Sequence, residues 1–418
     1  MKLFRKQSNS DDYIAALDIG TEYTKVLIAQ LGDDDTLQII GAGKSRQEFG
    51  NMSGGAISDI VGVVKNCEDA LTQAEEQAGV QARRVVIGIA GEFVKGITST
   101  IHYKRLTADR PLDDAEMQLI IEKVQDNTAI KAQKQIAFET GTPDIEVKLV
   151  NSAIVDIHID GYKVSNPIGF TGRDVAIQIY TAYAPMMHIG ALERTALKLN
   201  LELVAVAAEP FAVARAVLGN NGDPNYTAIL CDIGGGSTDI AVVNDGGVEG
   251  TQMFGVAGCS FTKTIADDLG IGREAAEKLK VNLDDPKVKP SVKESIGESI
   301  DKTLDVWISG VQLALSEFDA VDHLPNRFLL CGGGSSLKPL TECLEESKWY
   351  RGLPFTRRPI IKHIEPADVV GIEDQTGDVV DHTFITAMGL LRVGYDTMEV
   401  ANEDTTGLRN KLNRILRI

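Results

Sequence analysis

DIGTEYTK at residues 18–25 and DIGGGSTD at residues 232–239 are the two stretches that decide the fold. In each, an apolar strand ends in an aspartate, a glycine turn follows, and a second strand begins. The flanking order of strand, turn and strand repeats as well, at 14–40 and at 227–254. The sequence therefore predicts two similar α/β halves.

Both stretches supply what phosphate binding needs. Turns without bulky side chains let backbone N–H groups approach phosphate oxygens, and carboxylates hold the accompanying metal ion. Each stretch has an acid at a strand end, then glycine, then a hydroxyl, so two facing hairpins could grip the β- and γ-phosphates from both sides. Either hairpin alone could be an ordinary glycine-rich turn. Their pairing, with a third glycine turn at 332–334, favours phosphate binding.

Composition excludes several classes of protein. A chain of 418 residues predicts two or more domains. The cysteines and histidines have no spacing typical of zinc or disulfide sites, and no apolar run is long enough to span a bilayer. The N-terminus lacks the apolar stretch of a signal peptide, which predicts a cytoplasmic protein. The formal charge of −18 argues against nucleic-acid binding.

The charge is unevenly distributed. Residues 1–10 and 407–418 are basic and contain no acid, and without them the rest of the chain carries −25. On a helical wheel, residues 407–418 gather their aliphatic side chains within about 160° of arc. The sequence thus predicts a membrane-surface helix about 18 Å long, too short to cross a bilayer. The alternative is that this helix packs back onto the acidic body.

Two familiar nucleotide motifs are not present. Gly43-Lys44-Ser45 resembles the end of a P-loop, but Gln38 occupies the position of the required glycine. No GxGxxG sequence follows a predicted strand. P-loop NTPases and Rossmann dinucleotide-binding proteins are therefore not supported.

Residues 91–177 differ from the rest of the first half in their pattern of predicted helices and strands. A helix is predicted at 113–130, with strand-like alternations at 145–150, 153–159 and 174–181. This pattern predicts a small α+β insert, hinged to the first half.

With these residues in view, the chain resembles the superfamily of actin, sugar kinases and DnaK chaperones over about residues 13–395. Besides the two hairpins, the resemblance rests on Ala208-Glu209-Pro210, Cys331-Gly-Gly-Gly-Ser335 and Ala387-Met-Gly-Leu390. Five motifs in this order are specific, although each alone is weak. The resemblance implies an α/β, actin-like two-domain fold with duplicated mixed sheets, which binds ATP and Mg²⁺.

The resemblance also implies roles for individual residues. Asp18 and Asp232 would organise Mg²⁺ and its waters, and Lys25 would contact phosphate oxygens. Glu209 would orient the attacking water, with Asp232 assisting. The residues expected at the nucleotide are Asp18, Gly20, Thr21, Lys25, Gly234, Gly235, Gly236, Ser237, Thr238, Glu277, Lys280, Gly332, Gly333, Gly334 and Ser335. Of these, Glu277 and Lys280 are expected beside the ribose, and a solvated helix face is the alternative for both.

Within the superfamily, the chain most resembles the FtsA family, which tethers the bacterial division ring to the membrane. The insert lies where FtsA carries its extra subdomain, and residues 160–172 and 258–269 resemble FtsA segments. The resemblance implies a peripheral protein on the inner face of the cell membrane, at the septum. Its partners would be the tubulin homologue FtsZ, other division proteins and anionic lipid. Self-association into filaments and weak or slow ATP hydrolysis are also expected.

The resemblance divides the chain into segments. These are a basic N-terminus (1–12), the first actin-like domain 1A (13–90 and 178–220), the insert 1C (91–177), the second actin-like domain 2A (221–268 and 325–398), a helical subdomain 2B (269–324), a linker (399–406) and the membrane helix (407–418).

Other members of the superfamily fit less well. A chaperone needs a large substrate-binding domain after the last ATPase helix, a sugar kinase needs a catalytic acid for a substrate hydroxyl, and an MreB-type filament protein lacks the insert. The runner-up is a pilus-assembly scaffold of the PilM type, which shares the fold and much of the insert. The basic amphipathic tail distinguishes the FtsA hypothesis from the PilM hypothesis.

Overall fold

The computed structural model of the chain describes residues 13–32, 36–218, 225–283, 285–318 and 321–402. The predicted N-terminal segment 1–12 and membrane helix 407–418 lie outside the described residues. The strands are β1 Tyr13–Ile19, β2 Tyr23–Leu31, β3 Leu37–Arg46, β4 Met52–Ser53, β5 Ala56–Ile57, β6 Arg84–Ile89, β7 Lys95–Lys104, β8 Val147–Ile159, β9 Tyr162–Lys163, β10 Asp174–Pro185, β11 Glu202–Ala208, β12 Ala228–Ile233, β13 Thr238–Asn244, β14 Gly247–Phe254, β15 Arg327–Cys331, β16 Ile360–His363 and β17 Ile372–Asp374. The α-helices are α1 Ile60–Ala78, α2 Asp114–Thr140, α3 Met186–Lys198, α4 Glu209–Leu218, α5 Gly258–Leu269, α6 Arg273–Val281, α7 Pro290–Ser316, α8 Lys338–Glu346 and α9 Ile385–Asn402.

The two halves contain sheets in which five strands follow the same order, and the first sheet has β17 as a sixth strand. The first sheet runs β11-β6-β1-β2-β3-β17, and the second runs β16-β15-β12-β13-β14. In each, the first three strands of the half are antiparallel neighbours, and the next two run parallel to the first strand. The predicted α/β class with duplicated mixed sheets is confirmed.

Sequence patterns explain the central strands and the helix that covers the first sheet. Every residue of β1 and β12 is buried, as expected for strands enclosed on both faces. The Asp59 side chain accepts a hydrogen bond from the Val61 N–H at the start of α1, and Gly79 ends the helix in a left-handed conformation. A Cβ added to Gly43 would lie 1.9 Å from the Ala70 carbonyl oxygen of α1. The glycine of the rejected P-loop is therefore a close-packing residue between β3 and α1.

The insert is a four-stranded antiparallel sheet, ordered β7-β10-β8-β9, with α2 packed on it. The prediction of a helix was right, but α2 continues from the predicted end at 130 to Thr140. The segments predicted as two strands, 145–150 and 153–159, form the single strand β8. Its pairing with β10 shifts register between Gln178 and Ile179 and between Ala182 and Tyr183. Such irregularities interrupt the alternation of apolar and polar residues, which explains why one strand was predicted as two.

The sheet of the insert extends beyond the predicted boundary at 177, because β10 continues to Pro185, and it contacts both halves of the molecule. The Tyr180 hydroxyl and Thr251 Oγ1 of β14 lie 3.1 Å apart, and the Gln178 side-chain amide donates to Glu249 Oε2 at 3.0 Å. The sequence had attached the insert to the first half alone.

The last helix is longer than predicted. α9 extends to Asn402, so residues 399–402, predicted as part of a linker, are helical. The remaining linker residues, 403–406, lie outside the described residues. Among the helices of the described part of the chain, none has both the length and the apolar character needed to cross a bilayer.

Candidate functional site

The two hairpins predicted to bind phosphates face each other and touch. Both turns close in the same way: the Gly20 N–H donates to the Tyr23 carbonyl at 3.1 Å, and the Gly234 N–H donates to the Ser237 carbonyl at 2.9 Å. A Cβ added to Gly236 would lie 2.4 Å from Thr21 Oγ1 in the opposite hairpin. Glycine therefore permits this approach, and the turns form two walls of one cleft.

The first hairpin places a carboxylate beside an ammonium group. Asp18, at the end of β1, is the cross-strand partner of Lys25, whose Nζ lies 2.9 Å from Asp18 Oδ2. Burial lowers the pKa of Lys25, but the Asp18 carboxylate, with support from Asp232 and Glu209, outweighs burial and raises it overall. Lys25 is therefore a permanent cation in the cleft.

The second hairpin places two carboxyl groups opposite each other. Asp232, at the end of β12, is the cross-strand partner of Asp239 on β13. Burial raises the pKa of both groups. The negative charge of Asp232 raises that of Asp239 further, and hydrogen bonds from Thr386 Oγ1 to Asp232 and from Ser237 Oγ to Asp239 partly offset the shifts.

Glu209 completes the acidic group as the first residue of α4. Burial raises its pKa well above the ordinary value, and the nearby charges of Asp18, Asp239 and Asp232 raise it further, while Lys25 lowers it. A carboxyl group with a raised pKa is suited to accept a proton from water near neutral pH.

The glycine turn after β15 lies against the second hairpin. Gly332 has a φ of 79°, and a Cβ there would lie 2.0 Å from Asp232 Oδ1. A Cβ on Gly334 would lie 2.7 Å from the Gly234 carbonyl oxygen, whereas one on Gly333 would meet no atom within 4 Å. Gly333 therefore presents open backbone to a ligand, while Gly332 and Gly334 allow close packing. Ser335 is buried, and its hydroxyl donates to the Gly332 carbonyl at 2.7 Å.

The hydroxyls of the second hairpin also turn into the protein. Ser237 Oγ donates to Asp239 Oδ2 at 3.0 Å. Thr238 Oγ1 donates to the Val256 carbonyl at 2.8 Å and accepts a hydrogen bond from the Trp307 indole at 2.9 Å. These hydroxyls hold the hairpin in place, so phosphate contacts from this side would come from the backbone.

Glu277 and Lys280, predicted beside the ribose, pair with each other. Lys280 Nζ lies 2.8 Å from Glu277 Oε2 and donates to the Gly258 carbonyl at 2.9 Å, and Thr262 Oγ1 bonds to Glu277. The two side chains are only 10% and 18% exposed, so the alternative of a solvated helix face does not hold. Because the Gly258 N–H donates to the Gly234 carbonyl at 3.1 Å, Lys280 supports the second hairpin through the start of α5.

Two residues of the site were missed by sequence reasoning. Asp239 is the last residue of its motif, and no role was predicted for it. It is the cross-strand partner of Asp232, and side chains of cross-strand partners lie close enough to interact. Asp239 Oδ1 is buried without a hydrogen-bond partner among the described residues. Thr386 binds Asp232 from α9, 154 positions away in sequence, and no local motif marks it.

The chemistry of these residues fits a metal ion held mainly by phosphate and water. Within the described ranges, no three His, Cys, Asp or Glu side chains are arranged to hold a metal ion by themselves. Mg²⁺ bound with a nucleotide commonly keeps several waters and uses one or two carboxylates. The unpaired oxygen of Asp239, next to Asp232, is suited to accept a hydrogen bond from such a water.

Comparisons with known proteins identify relatives of the chain. The family described as Cell division protein FtsA matches residues 229–389, and that described as Diol dehydratase reactivase ATPase-like domain matches 152–289. The Cell division protein FtsA of Pseudomonas aeruginosa is 24% identical over 405 residues, covering 92% of this chain and 90% of the relative. That of Bacillus subtilis is 28% identical over 278 residues, covering 66% of this chain and 59% of the relative.

A solved structure shows the same fold. The PilM-PilN type IV pilus biogenesis complex contains a chain that superposes with a TM-score of 0.67 at 17% sequence identity, covering 91% of this chain and 98% of the other. The predicted resemblance to FtsA and the predicted actin-like fold are both confirmed.

Proposed function

We propose that this relative of the FtsA cell-division proteins binds ATP with Mg²⁺ between its two hairpins and tethers a division ring of the FtsZ type to the inner face of the cell membrane. The observation that carries the nucleotide part is the contact of the two glycine hairpins, with Asp18, Lys25, Asp232 and Glu209 around it. The sequence similarity to FtsA carries the cellular part.

The described side chains have distinct places in this proposal. Mg²⁺, held through water by Asp18 and Asp232, would neutralise charge on the phosphates. Lys25 would contact phosphate oxygens, and the backbone of Gly333 would lie beside the adenosine. Glu209 would orient a water for attack and take up its proton. Phosphoryl transfer depends mainly on such positioning and charge neutralisation, and we expect slow turnover.

The Asp232→Ala variant tests the nucleotide site. We expect its affinity for Mg²⁺-ATP or its hydrolysis rate to fall by about two orders of magnitude, since the loss of one well-placed polar group at a reacting centre has that effect. Isothermal titration and phosphate release measure the two quantities. Glu342→Ala, on the surface of α8, is the control. Unchanged affinity and hydrolysis in Asp232→Ala would remove the site assignment.

The membrane part of the proposal rests on the sequence of residues 407–418. Four basic residues near an anionic surface contribute about 1 kcal/mol each, and burial of the aliphatic side chains adds to this. One such tail binds weakly and reversibly, whereas an assembly that carries many tails binds tightly through avidity. Self-association on the membrane is therefore part of the proposal. Strictly monomeric behaviour of ATP-loaded protein on lipid would contradict it.

Flotation on anionic vesicles with ATP tests the tether. We expect the full chain to float and the variant without residues 407–418 to remain at the bottom. Leu412→Asp keeps the basic residues but interrupts the apolar face, so it separates lipid insertion from charge attraction. Equal flotation of all three proteins would remove the membrane proposal. Addition of FtsZ should then show FtsZ floating only with the full chain.

A pilus-assembly scaffold of the PilM type is the second candidate, favoured by the similarity to the PilM-PilN structure. Fold similarity at 17% identity does not separate the two candidates, because related folds serve different functions. Capture of pilus-assembly components instead of FtsZ by the full chain, together with flotation that does not depend on residues 407–418, would favour it.

A further inference from the structure

Two helices begin at the candidate nucleotide site and run side by side away from it. α4 begins with Glu209, and the second residue of α9, Thr386, donates to Asp232. The helices are in backbone contact, because a Cβ added to Gly389 would lie 2.0 Å from the Ala212 carbonyl oxygen. α4 joins the first sheet to the second along the chain, whereas α9 packs in the core of the first half and reaches Asp232 of the second. Their relative position therefore affects both walls of the cleft.

A buried ion cluster joins these helices beyond their contact. Arg215 of α4 donates through Nε and Nη2 to Asp396 Oδ2, at 3.1 and 2.6 Å. Arg392, one turn earlier on α9, donates through Nε to Asp396 Oδ1 at 3.1 Å. Arg215 and Arg392 are each 1% exposed. One carboxylate thus receives three directional hydrogen bonds from two buried guanidinium groups. We call these three residues the helix clasp.

Stability alone gives a poor account of such a cluster. Buried charges lose their hydration, and apolar residues of similar size often stabilise a protein equally well. Hydrophobic contacts between helices are non-directional. A planar guanidinium that holds a carboxylate through two N–H groups depends strongly on the angle between the helices. The cluster therefore restricts how α4 can rotate or slide on α9.

We propose that the helix clasp fixes α4 against α9 and so positions Glu209 relative to Asp232 across the nucleotide cleft. By helix geometry the clasp acts over about 9 Å from Arg215 to Glu209 and about 15 Å from Asp396 to Thr386. Arg215, Arg392 and Asp396 are positioning residues in this proposal, which rests on the proposed nucleotide function.

Arg215→Lys tests the proposal with a matched control elsewhere in the chain. The substitution keeps the charge but removes the planar fork. Arg105 of the insert is equally buried and binds Glu116 through Nε and Nη2, at 2.9 and 2.7 Å, so Arg105→Lys makes the same chemical change away from α4 and α9. Asp396→Glu, which keeps all charges and adds one methylene, is a second variant if Arg215→Lys does not fold.

Two measurements distinguish positioning from simple stabilisation. The first is the dissociation rate of a fluorescent ATP analogue with Mg²⁺. The second is hydrogen exchange of the amides in residues 18–25 and 232–239 without nucleotide. We expect both to rise about fivefold in Arg215→Lys, within the range of mutational coupling effects, and to stay unchanged in Arg105→Lys.

The possible results separate the two proposals. A lower melting temperature in Arg215→Lys, with unchanged nucleotide release and hairpin exchange, would overturn the helix clasp as a positioning device. If the unmodified protein does not bind the nucleotide, the proposed function fails. Hydrogen exchange of the amides in residues 18–25 and 232–239 then tests the helix clasp by itself. Faster exchange in Arg215→Lys than in Arg105→Lys supports the clasp as a positioning device, and equal exchange overturns it.

Discussion

The two hairpins occupy the same place in their sheets but pair different charges. In the first, Asp18 faces Lys25 across the hairpin, and in the second Asp232 faces Asp239. Opposite charges directly across a pair of strands stabilise it, whereas like charges destabilise it. The first hairpin is thus neutralised from within. The second contains two facing carboxyl groups, and hydrogen bonds from Thr386 and Ser237 and the charge of Lys25 in the opposite hairpin only partly offset their repulsion.

This difference shows how a duplicated fold can divide one task between its copies. The shared strand order gives both halves a glycine turn at the cleft. The residue at the end of the hairpin is Lys25 in one copy and Asp239 in the other, so one copy adds a positive charge at the cleft and the other adds a negative charge. In the proposed function, Lys25 would meet the phosphates, and Asp239 would add to the carboxylates that face the hydrated cation.

The outer edges of the two sheets differ as well. In the first sheet, β3 pairs in parallel with the short strand β17 from the end of the chain. In the second, β14 is the edge strand, and the insert contacts it through Tyr180 and Gln178. The insert therefore lies against the edge strand of the second sheet. It gives β14 contacts on the side where the corresponding strand of the first sheet, β3, pairs with β17.

The largest effect expected from this comparison is the loss of Lys25. In Lys25→Met, the Asp18 carboxylate stays buried without its cation, and breaking a buried pair in this way lowers the free energy of unfolding by about 3 kcal/mol or more. Urea denaturation of the nucleotide-free protein measures it. Lys65→Met, which breaks an exposed pair with Glu48, is the control and should change little. Similar small losses in both variants would contradict the contrast between the hairpins.

The corresponding change in the second hairpin should have the opposite sign. Asp239→Asn removes one of two facing negative charges, so we expect the nucleotide-free protein to gain about 1 kcal/mol in the free energy of unfolding. Its affinity for Mg²⁺-ATP should fall, because a hydrated cation loses a negative partner. The two quantities come from urea denaturation and calorimetric titration. A loss of stability in Asp239→Asn would mean that this carboxylate is not under repulsion.

The pH dependence of stability provides a smaller and independent test. Burial raises the pKa values of Asp232 and Asp239 in the folded chain, so the folded state holds protons that the unfolded state has released. Below about pH 4 both states are protonated and the raised pKa values have no effect. As pH rises from there to the folded pKa values, these groups make the folded state progressively less stable.

Asp239→Asn should reduce this pH-dependent loss. Urea denaturation without nucleotide or divalent ions, between about pH 5 and pH 8, compares the slopes of the two proteins. A residual slope is expected, because burial also raises the pKa of Glu209. Parallel slopes would show that Asp239 titrates as it does in the unfolded chain.

Much of the fold could be predicted from the sequence because the decisive patterns are local. Asp18 and Asp232 are the second-to-last residues of fully buried strands, and the glycines that follow need no long-range information to be recognised as turns. No element was predicted between residues 337 and 383, where α8, β16 and β17 lie. β17 has three residues and gains its place only by pairing with β3. Such a strand carries no periodicity of its own.

The candidate site was predictable to the same degree. The hairpins were recognised as motifs, but their side-chain directions were not, because the inward direction of the Thr238 hydroxyl depends on its tertiary partners Val256 and Trp307. The pairing of Glu277 with Lys280 is different: the i,i+3 spacing on one helix was visible in the sequence. Glu277 and Lys280 were nevertheless predicted beside the ribose, because the resemblance implied that role.

The smallest expected effect concerns the edge of the second sheet and tests whether the insert stabilises it. Tyr180→Phe removes only the hydroxyl that lies 3.1 Å from Thr251 Oγ1, and both residues are buried. Because Thr251 then loses a buried hydrogen-bond partner, we expect a loss of about 1 kcal/mol in the free energy of unfolding. Tyr162→Phe, on the exposed strand β9 of the same insert, makes the same chemical change without such a contact and should leave stability unchanged.

Hydrogen exchange of residues 247–254 adds the spatial information that a melting curve lacks. Faster exchange there in Tyr180→Phe, with no change in β3, would show that the insert supports the second half through its edge strand. Equal exchange in both variants would mean that the contact between Tyr180 and Thr251 does not stabilise β14.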